Sequence, residues 1–389
     1  MTIDQLKAAR RAAIAPFIAM DVKREATLLE QAGARIVHME VGEPCAPPPR
    51  LVREAAIAAL AGGPVGYTDA LGLALLRRRI ARHYAETYGV AVDPQRVVVT
   101  TGSSGGFIMA FLALFDAGAR VAIPSPGYPA YRNIFSALGV ETVELPVDSG
   151  NGFAMTAAAL RQAHAAQKLD GVLAMSPANP TGAMMSDDCL RDIAQFCAAE
   201  GAPFISDEIY HGLTYARPAR TALEFSDRAI VVNSFSKYYC MTGWRIGWLV
   251  APLELIRPLE RLQQSLAISA PTLSQIAAVA AFDARDELEA VKEGYRRNRE
   301  ILLDGLPNLG FDRLAPADGA FYLYADISRF TDDSTRFCHD LLHRAGVAAT
   351  PGVDFDPQRG HLSLRLSYAG AQADMIEALV RLKGFLARR

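Results

Sequence analysis

The first candidate for chemistry is a lysine at the end of a predicted strand. Lys237 follows the apolar run 229–232 and stands between the aromatic residues Phe235 and Tyr238. Lysine rarely packs against a protein interior, and desolvation lowers the pKa of its amine and makes it a nucleophile toward carbonyl compounds. Most lysines are solvated surface charges, so Lys237 taken alone favours that ordinary role. Its neighbours decide between the two interpretations.

Groups suited to binding phosphate lie close to this lysine. The hydroxyls of Ser234 and Ser236 precede it, and the cation of Arg245 follows beyond a glycine. A Gly-Ser-Ser stretch at 102–104 connects a predicted strand to a helix, where free N–H groups and the helix dipole favour an anion. The alternative for 102–104 is an ordinary turn, and its spacing matches neither Gly-x-Gly-x-x-Gly nor a Walker loop.

Two further polar stretches follow predicted strands. Asn179 begins the sequence Asn-Pro-Thr-Gly after the strand 171–175, and Asp207 and Tyr210 follow the strand 203–206. Open α/β sheets bind ligands at the carboxyl ends of their strands. The alternatives are a proline turn for Asn179 and a helix N-cap for Asp207. A buried carboxylate at position 207 would keep a pyridine nitrogen protonated, as pyridoxal phosphate (PLP) chemistry requires.

A late strand carries an arginine suited to a carboxylate ligand. In the alternating sequence 361–367, Arg365 shares the polar face with His361, Ser363 and Ser367, and leucines occupy the other face. The planar guanidinium can clamp a carboxylate through two hydrogen bonds. The alternative is a solvated edge strand, which the alternation by itself favours.

Charge and hydropathy exclude other classes of protein. The chain of 389 residues has 40 lysines and arginines against 42 aspartates and glutamates, so no basic field indicates nucleic acid. No uninterrupted apolar segment approaches the about 18 residues of a membrane span, and no targeting signal is apparent. The expected partners are therefore small molecules, with neither nucleic acid nor membrane.

Cysteine and histidine positions bear on compartment and metals. The five cysteines are widely spaced and form no Cys-x-x-Cys pair, which argues against a disulfide framework and a zinc site and favours a reducing cytoplasm. The histidines show no metal-ligand spacing either, so no metal site is predicted.

The elements that must position these residues follow a regular pattern. Apolar runs of strand length alternate with helical segments, which is typical of a largely parallel sheet covered on both faces. The expected strands of this sheet are 97–100, 120–123, 141–145, 171–175, 203–206, 229–232 and 248–250. The expected helices are 51–60, 107–115, 255–264, 273–281, 287–303, 335–345 and 373–386, after a helical arm up to about residue 35 and a strand 36–41.

The alternation of strands and helices ends after Pro252, where helices predominate. We therefore expect a large domain at 46–285. The N-terminal arm 1–45 and residues 286–389 would form a second, smaller α+β unit.

Taken in order, the motifs resemble those of the fold-type I PLP enzymes, and within them the aspartate-aminotransferase-like class I/II aminotransferases. The combination is Asn-Pro-x-Gly at 179–182, Asp-x-x-Tyr at 207–210, Ser-x-Ser-Lys at 234–237 and Gly-x-Arg at 243–245. The resemblance covers nearly the whole chain. It implies an α/β fold with a mostly parallel seven-stranded sheet in the large domain.

The resemblance also implies a role for each motif. Lys237 would be the Schiff-base lysine and proton carrier, Asp207 would pair with the pyridinium nitrogen, and Tyr210 would bond the phenolic oxygen of the ring together with Asn179. Arg365 would bind the substrate α-carboxylate, helped by Asn179 and the backbone of Gly42. The remaining phosphate and ring contacts would come from Gly102, Ser103, Ser104, Tyr128, Ser234, Ser236 and Arg245.

The implied activity is ping-pong transfer of an amino group from an L-amino acid to a 2-oxo acid, with 2-oxoglutarate as the expected acceptor. Tyr67 resembles a tyrosine that reaches the phosphate of the neighbouring subunit, which implies a homodimer with shared active sites. Specificity does not carry over, because Cys45-Ala46-Pro47 departs from the acidic and aromatic sequence of many relatives. A PLP-dependent lyase acting at Cβ and a non-catalytic PLP-binding module remain alternatives.

Overall fold

The computed structural model describes residues 7–388. The start of the predicted N-terminal arm, residues 1–6, lies outside the described residues. In the described part, the strands are β1 (Val37–His38), β2 (Val97–Thr100), β3 (Arg120–Ser125), β4 (Glu141–Pro146), β5 (Gly171–Met175), β6 (Phe204–Asp207), β7 (Ile230–Ser234), β8 (Gly247–Val250), β9 (Tyr322–Asp326), β10 (Val347–Ala348), β11 (Thr350–Pro351) and β12 (Ser363–Ser367).

The α-helices cover both faces of the central sheet and build most of the C-terminal part. They are α1 (Ile18–Gln31), α2 (Arg50–Ala61), α3 (Ala74–Tyr88), α4 (Gly102–Leu114), α5 (Pro129–Leu138), α6 (Ala157–Ala166), α7 (Asp187–Glu200), α8 (Leu253–Leu266), α9 (Thr272–Ala281), α10 (Arg285–Gly305), α11 (Ser334–Ala345) and α12 (Gln372–Leu386). No helix in residues 7–388 combines the length and the apolarity that crossing a membrane requires.

The central sheet has seven strands in the order β2-β8-β7-β6-β5-β3-β4. Neighbours from β7 to β4 run parallel, and β8 is antiparallel to both β7 and β2. The inner strands are buried throughout, as expected for a sheet with helices on both faces. The predicted seven-stranded, mostly parallel sheet is confirmed.

A smaller α+β unit follows. Strands β11, β12 and β9 form an antiparallel sheet in that order, and β1 pairs with β10 in parallel. Since β12 lies between two partners, the edge-strand interpretation of 361–367 is wrong. Strand β12 begins at Ser363 rather than at the predicted residue 361, because residues 360–362 form a 3₁₀ turn. The division at 45/46 and 285/286 stays a prediction.

Two element boundaries differ from the prediction for identifiable reasons. Helix α4 begins at Gly102 rather than at 107; a Cβ added to Gly106 would lie 3.2 Å from Leu249, so the small residue lets the first turns pack on β8. Strand β1 ends at His38 rather than at 41. The carbonyl of Glu40 accepts hydrogen bonds from side chains instead of continuing a β-ladder.

Candidate active site

Lys237 lies three residues beyond the end of β7, and its side chain contacts the N-terminal part of the chain. Its Nζ donates a hydrogen bond to the carbonyl of Gly42 at 2.6 Å and lies 5.8 Å from the ring centroids of Tyr210 and Phe321. Burial, followed by the nearby charge of Arg365, lowers the pKa of Lys237 to about 8. An amine with this pKa is partly neutral near physiological pH and can act as a nucleophile.

Asp207 ends β6 and is fully buried. Its two carboxylate oxygens accept hydrogen bonds, one from the hydroxyl of Tyr131 and the other, at 3.0 Å, from the backbone N–H of Ile209. Burial nevertheless raises the pKa of Asp207 to about 7. A buried carboxylate in this condition favours a cationic neighbour, and a protonated pyridine nitrogen is such a group.

An anion cradle forms where α4 meets β8. A Cβ on Gly247 would lie 2.9 Å from the backbone nitrogen of Ser103, and one on Gly102 would lie 2.6 Å from Nη2 of Arg245. Because both positions lack a side chain, the first N–H groups of α4 and the Arg245 guanidinium can lie close together. Arg245, at φ +52, is held by a 2.9 Å hydrogen bond from Nη1 to the carbonyl of Thr242. Free N–H groups and a fixed cation suit a phosphate.

The predicted serines lie beside this cradle with different exposures. Ser234 and Ser236 are buried, and their hydroxyl oxygens are 2.9 Å apart. Ser103 is half-buried in the first turn of α4, whereas Ser104 is exposed. The structure thus places Ser103, Ser234 and Ser236 deeper than Ser104.

Arg365 projects from β12 and is 2% exposed. Its Nη1 donates to Oδ1 of Asn179 at 2.9 Å, and its Nη2 donates to the carbonyl of Glu40 and, at 3.3 Å, to Oγ1 of Thr350. Its Nε has no hydrogen-bond partner. Among residues 7–388 no carboxylate lies within ion-pairing distance of this guanidinium. A buried cation without a counter-ion suits an anionic ligand.

Two aromatic rings flank the same guanidinium. The ring centroids of Tyr322 and Phe355 lie 4.4 and 4.6 Å from its central carbon. These contacts restrict the plane of the guanidinium. The direction of the clamp is therefore set by residues on β9 and in the turn after β11 as well as by β12 itself.

The sequence analysis missed two tyrosines of this site. The hydroxyl of Tyr322 lies 2.7 Å from that of Tyr210, and a Cβ on Gly42 would lie 1.6 Å from the Tyr322 oxygen. Tyr131 holds Asp207, as described above. Tyr131 follows Tyr128 by three residues, a helical spacing that carried a usable signal. Tyr322 is 112 residues from Tyr210 and carried none.

The remaining predicted residues fall inside and outside this site. Tyr128 is half-buried at the start of α5, with its ring edge-on to Phe17 at 5.7 Å and to Tyr131 at 5.3 Å. Tyr67 is 81% exposed in the loop after α2 and is not brought to the site of its own chain. The structure therefore gathers every other predicted site residue around Lys237 or the cradle.

Comparison with known proteins shows the family. The model of the family "Aminotransferase class I and II" matches residues 34–382. A valine–pyruvate aminotransferase from Mycobacterium tuberculosis is 50% identical over 384 residues, 98% of each chain. A (5-formylfuran-3-yl)methyl phosphate transaminase from Methanocaldococcus jannaschii is 36% identical and covers 95% of this chain and 96% of its own.

Solved structures agree with this assignment. A crystal structure of an aminotransferase from Mycobacterium tuberculosis superposes with a TM-score of 0.96 at 49% identity, covering 99% of this chain and 100% of the other. The aspartate aminotransferase from Thermus thermophilus with maleate gives a TM-score of 0.93 at 31% identity, over 98% and 100%. The chain belongs to the class I and II aminotransferases of PLP fold type I, and it is an aminotransferase.

Proposed function

We propose that this aminotransferase binds PLP at the site around Lys237. The observation that carries the proposal is the presence, in one buried site, of a lysine with a lowered pKa and a carboxylate with a raised pKa. The fit is supported by the cradle at Gly102 and Gly247. A side chain at Gly102 would collide with the Arg245 guanidinium, and one at Gly247 would collide with the backbone at the start of α4.

Each residue then has a task that its position supports. When bound, PLP supplies an electron-withdrawing ring that stabilises negative charge at the substrate α-carbon. Lys237 would hold the cofactor and, once its Nζ is free, carry the proton that leaves the α-carbon. Asp207, oriented by Tyr131 and the Ile209 N–H, would keep the pyridine nitrogen protonated. Tyr210 would bond the phenolic oxygen, with Tyr322 holding its hydroxyl.

The remaining polar groups would fix the two ends of the reactants. Arg365 would accept the substrate α-carboxylate, with Asn179 and the backbone of Gly42 beside it. The phosphate would lie among Gly102, Ser103, Ser104, Ser234, Ser236 and Arg245, with Tyr128 against the ring. Since Arg365 is buried, its hydrogen bonds to a bound carboxylate would be stronger than in solvent.

The surroundings of Arg365 favour a substrate with one carboxylate. The guanidinium of Arg132 donates to the backbone carbonyls of Asp354 and Phe355. Arg359 is likewise engaged, by the carboxylate of Asp356 and a backbone carbonyl. Neither arginine presents a free guanidinium for a second carboxylate.

We therefore propose a branched aliphatic amino acid such as valine as donor and pyruvate as acceptor. The 50% identical relative that is named a valine–pyruvate aminotransferase supports this pair. Pyruvate is a monocarboxylate and matches the one guanidinium of Arg365, whereas the predicted acceptor 2-oxoglutarate brings a second negative charge that would need its own cation.

A half-reaction screen tests the proposal. The PLP-loaded enzyme is mixed with valine, alanine, leucine, aspartate, glutamate or arginine, and the loss of absorbance of the lysine-linked cofactor is followed. We expect valine and alanine to react at least about a hundredfold faster than aspartate and glutamate, because burying an unpaired carboxylate is costly. Pyruvate should restore the absorbance faster than 2-oxoglutarate.

Two controls define the outcomes of this screen. Lys237→Ala should show no absorbance change on the same time scale. A faster reaction with glutamate would contradict the substrate assignment but leave the aminotransferase intact. Release of pyruvate and ammonia from a β-substituted amino acid without any oxo-acid acceptor would instead indicate the lyase alternative.

We also propose that the enzyme works as a homodimer. Tyr67 is 81% exposed, and the loop that carries it is tied to the start of α9 by a 2.5 Å hydrogen bond from Thr272 to Gly66. Helix α2 packs against α9, and exposed apolar side chains lie on α2, in the loop after it and in the segment before α9, as at a surface that favours a protein contact. They are Ile57, Leu60, Val65, Leu266 and Ile268.

The cytoplasm is the compartment we propose. All five cysteines are free thiols in the structure, and three of them, Cys197, Cys240 and Cys338, are buried. This usage fits a reducing environment. Cell fractionation with an antibody to the protein tests the assignment, and recovery in an oxidising compartment would contradict it.

A further inference from the structure

The first and eleventh helices pack against each other at a small apolar contact far from Lys237 in sequence. Ala26 of α1 and Leu342 of α11 are buried together in a cluster with Ile36 and Ala348. In each helix, a polar residue stands next to the buried one: Glu25 precedes Ala26, and His343 follows Leu342. The packing therefore brings Glu25 beside His343, although 318 residues separate them.

Two histidines of α11 face the same carboxylate. His339 and His343 are one helical turn apart, and their ring centroids are 4.3 Å apart. Oε1 of Glu25 lies 2.7 Å from Nε2 of His343 and 3.9 Å from Nε2 of His339. All three ligand atoms lie within 4.8 Å of one another. Two imidazoles and a carboxylate thus converge from two elements.

We propose that Glu25, His339 and His343 form a binding site for a divalent transition-metal ion of the Zn²⁺, Cu²⁺ or Ni²⁺ class. Ligands about 2.0–2.1 Å from a tetrahedral ion lie roughly 3.3 Å apart. The two distances from Glu25 bracket this value, so small rotations of the side chains complete the geometry. Imidazole nitrogen favours these ions over Mg²⁺ and Ca²⁺, which prefer oxygen.

The exposure of the three side chains defines the kind of site. Glu25, His339 and His343 are 41%, 57% and 35% exposed, so one or more coordination positions stay open to water. On the other side of the His339 ring, Nδ1 faces the carboxylate of Asp340 at 3.8 Å, and Asp340 is in turn near Arg344. That distance is longer than a hydrogen bond, so Asp340 adds negative charge near the ring. The site is accessible and exchangeable, unlike a closed structural zinc centre.

A solvated hydrogen bond between Glu25 and His343 is the competing interpretation. It accounts for the 2.7 Å contact but not for the second imidazole directed at the same oxygen. The sequence analysis predicted no metal site, although His339 and His343 stand four residues apart, a spacing that places both imidazoles on one face of a helix. The carboxylate that completes this set comes from another helix.

The site would connect helix α1, which contacts residues next to the candidate active site, to α11 of the C-terminal unit. Helix α1 begins after Phe17, which packs edge-on against Tyr128, and its Lys23 forms a 3.1 Å ion pair with Glu43. Its first N–H groups donate to the carboxylate of Asp354. An ion held by α1 and α11 would therefore stabilise the position of α1 without touching the reacting atoms.

Isothermal titration of the tag-free, PLP-loaded enzyme with Zn²⁺ tests the proposal. We expect one ion per chain at this site, and a rise of roughly 2–5 °C in the unfolding temperature at saturating Zn²⁺. His339→Ala, His343→Ala and Glu25→Gln should each weaken the binding at least about tenfold and remove most of the thermal shift. All three positions are solvent-exposed, so the variants should fold.

His164→Ala is the matched control. His164 forms a 3.3 Å contact with Glu200 on the large sheet's helices but has no second imidazole beside it. This variant should bind Zn²⁺ as the wild type does. The proposal would be overturned if the wild type and His343→Ala bound Zn²⁺ with equal affinity, because the ion would then lie at another site. It would also be overturned if the wild type bound no Zn²⁺.

Discussion

Lys237 and Asp207 have pKa values displaced toward each other, to about 8 and about 7. Burial is the largest cause for both groups, and their mutual attraction contributes least among the named causes. Each group is therefore costly to keep charged in isolation. A ligand that brings a cation to Asp207 and a carbonyl carbon to Lys237 relieves both costs, which is the complementarity that PLP offers.

The variant Asp207→Asn tests this electrostatic account at the residue scale. The pKa of Asp207 in the folded protein exceeds the value of about 3.9 for an unfolded chain, so the folded state binds more protons between these values. Its contribution to stability is present below about pH 4 and is lost as the pH rises through about 7. Without cofactor, the variant should therefore gain stability over wild type toward about pH 8, by up to roughly 4 kcal/mol in urea unfolding.

The same change should have the opposite effect on catalysis. With PLP bound, loss of the carboxylate should lower kcat at least about a hundredfold. Asp170→Asn is the control for sign: the hydrogen bond from the Arg120 N–H lowers the pKa of Asp170, so this variant should lose stability at neutral pH and recover it in acid. A pH-independent effect of Asp207→Asn would refute the assignment.

At the scale of elements, the site is built from the ends of strands and the first turn of a helix. Met175, Asp207 and Val232 are neighbours in register at the carboxyl ends of β5, β6 and β7. The antiparallel β8 then places Gly247 opposite Ser234, directly under the first turn of α4. The cradle therefore depends on how closely α4 approaches β8, and not only on the hydroxyl groups around it.

Gly247→Ala tests that dependence. The added Cβ would lie 2.9 Å from the backbone of Gly102 and Ser103 and 2.8 Å from the carbonyl of Asn233, so α4 must shift. We expect the affinity for PLP to fall at least about tenfold because the N–H groups no longer converge, as measured by cofactor titration of the apoenzyme. Gly243→Ala, in the same connection but with no atom within 4 Å of its Cβ, should bind PLP normally. Equal losses in both variants would assign the effect to the loop instead.

At the scale of the whole molecule, Tyr67 is the one predicted site residue that its own chain leaves outside. It follows α2 in the chain, and exposed apolar side chains lie on α2, in the same loop and at the end of α8. A second copy of the chain covering this surface would bury these side chains and bring Tyr67 to the partner's cradle. The dimer and the shared site are thus one proposal.

Mixing two inactive variants tests the shared site. Lys237→Ala should be inactive, and Tyr67→Ala should lose most of its activity by weaker phosphate binding. In a hybrid dimer, the subunit that keeps Lys237 receives an intact Tyr67 from its partner, so one of the two active sites is complete. After subunit exchange, about a quarter to a half of the wild-type activity should therefore return. Absence of recovery despite hybrid formation, verified by mass, would show that Tyr67 acts within its own chain or not at all.

Much of the fold was predictable because its signals are local. Each strand of the central sheet is a short apolar run between turn residues, and each helix of the C-terminal unit shows helical periodicity. The errors occurred where tertiary contacts override local preference. The glycines at 105 and 106 suggested a loop, yet both lie inside α4, and at Gly106 the packing on Leu249 of β8 leaves little room for a side chain.

By itself the sequence predicted the candidate residues for chemistry, since Lys237, Asp207 and Arg245 stand in motifs near strand ends and Arg365 lies on the polar face of an alternating strand. Their environments were decided only by the tertiary structure. The lowered pKa of Lys237, the partner of Tyr210 and the hydrogen bonds of Arg365 depend on groups more than a hundred residues away. Burial and charge act through space, and folding alone determines which distant groups become neighbours.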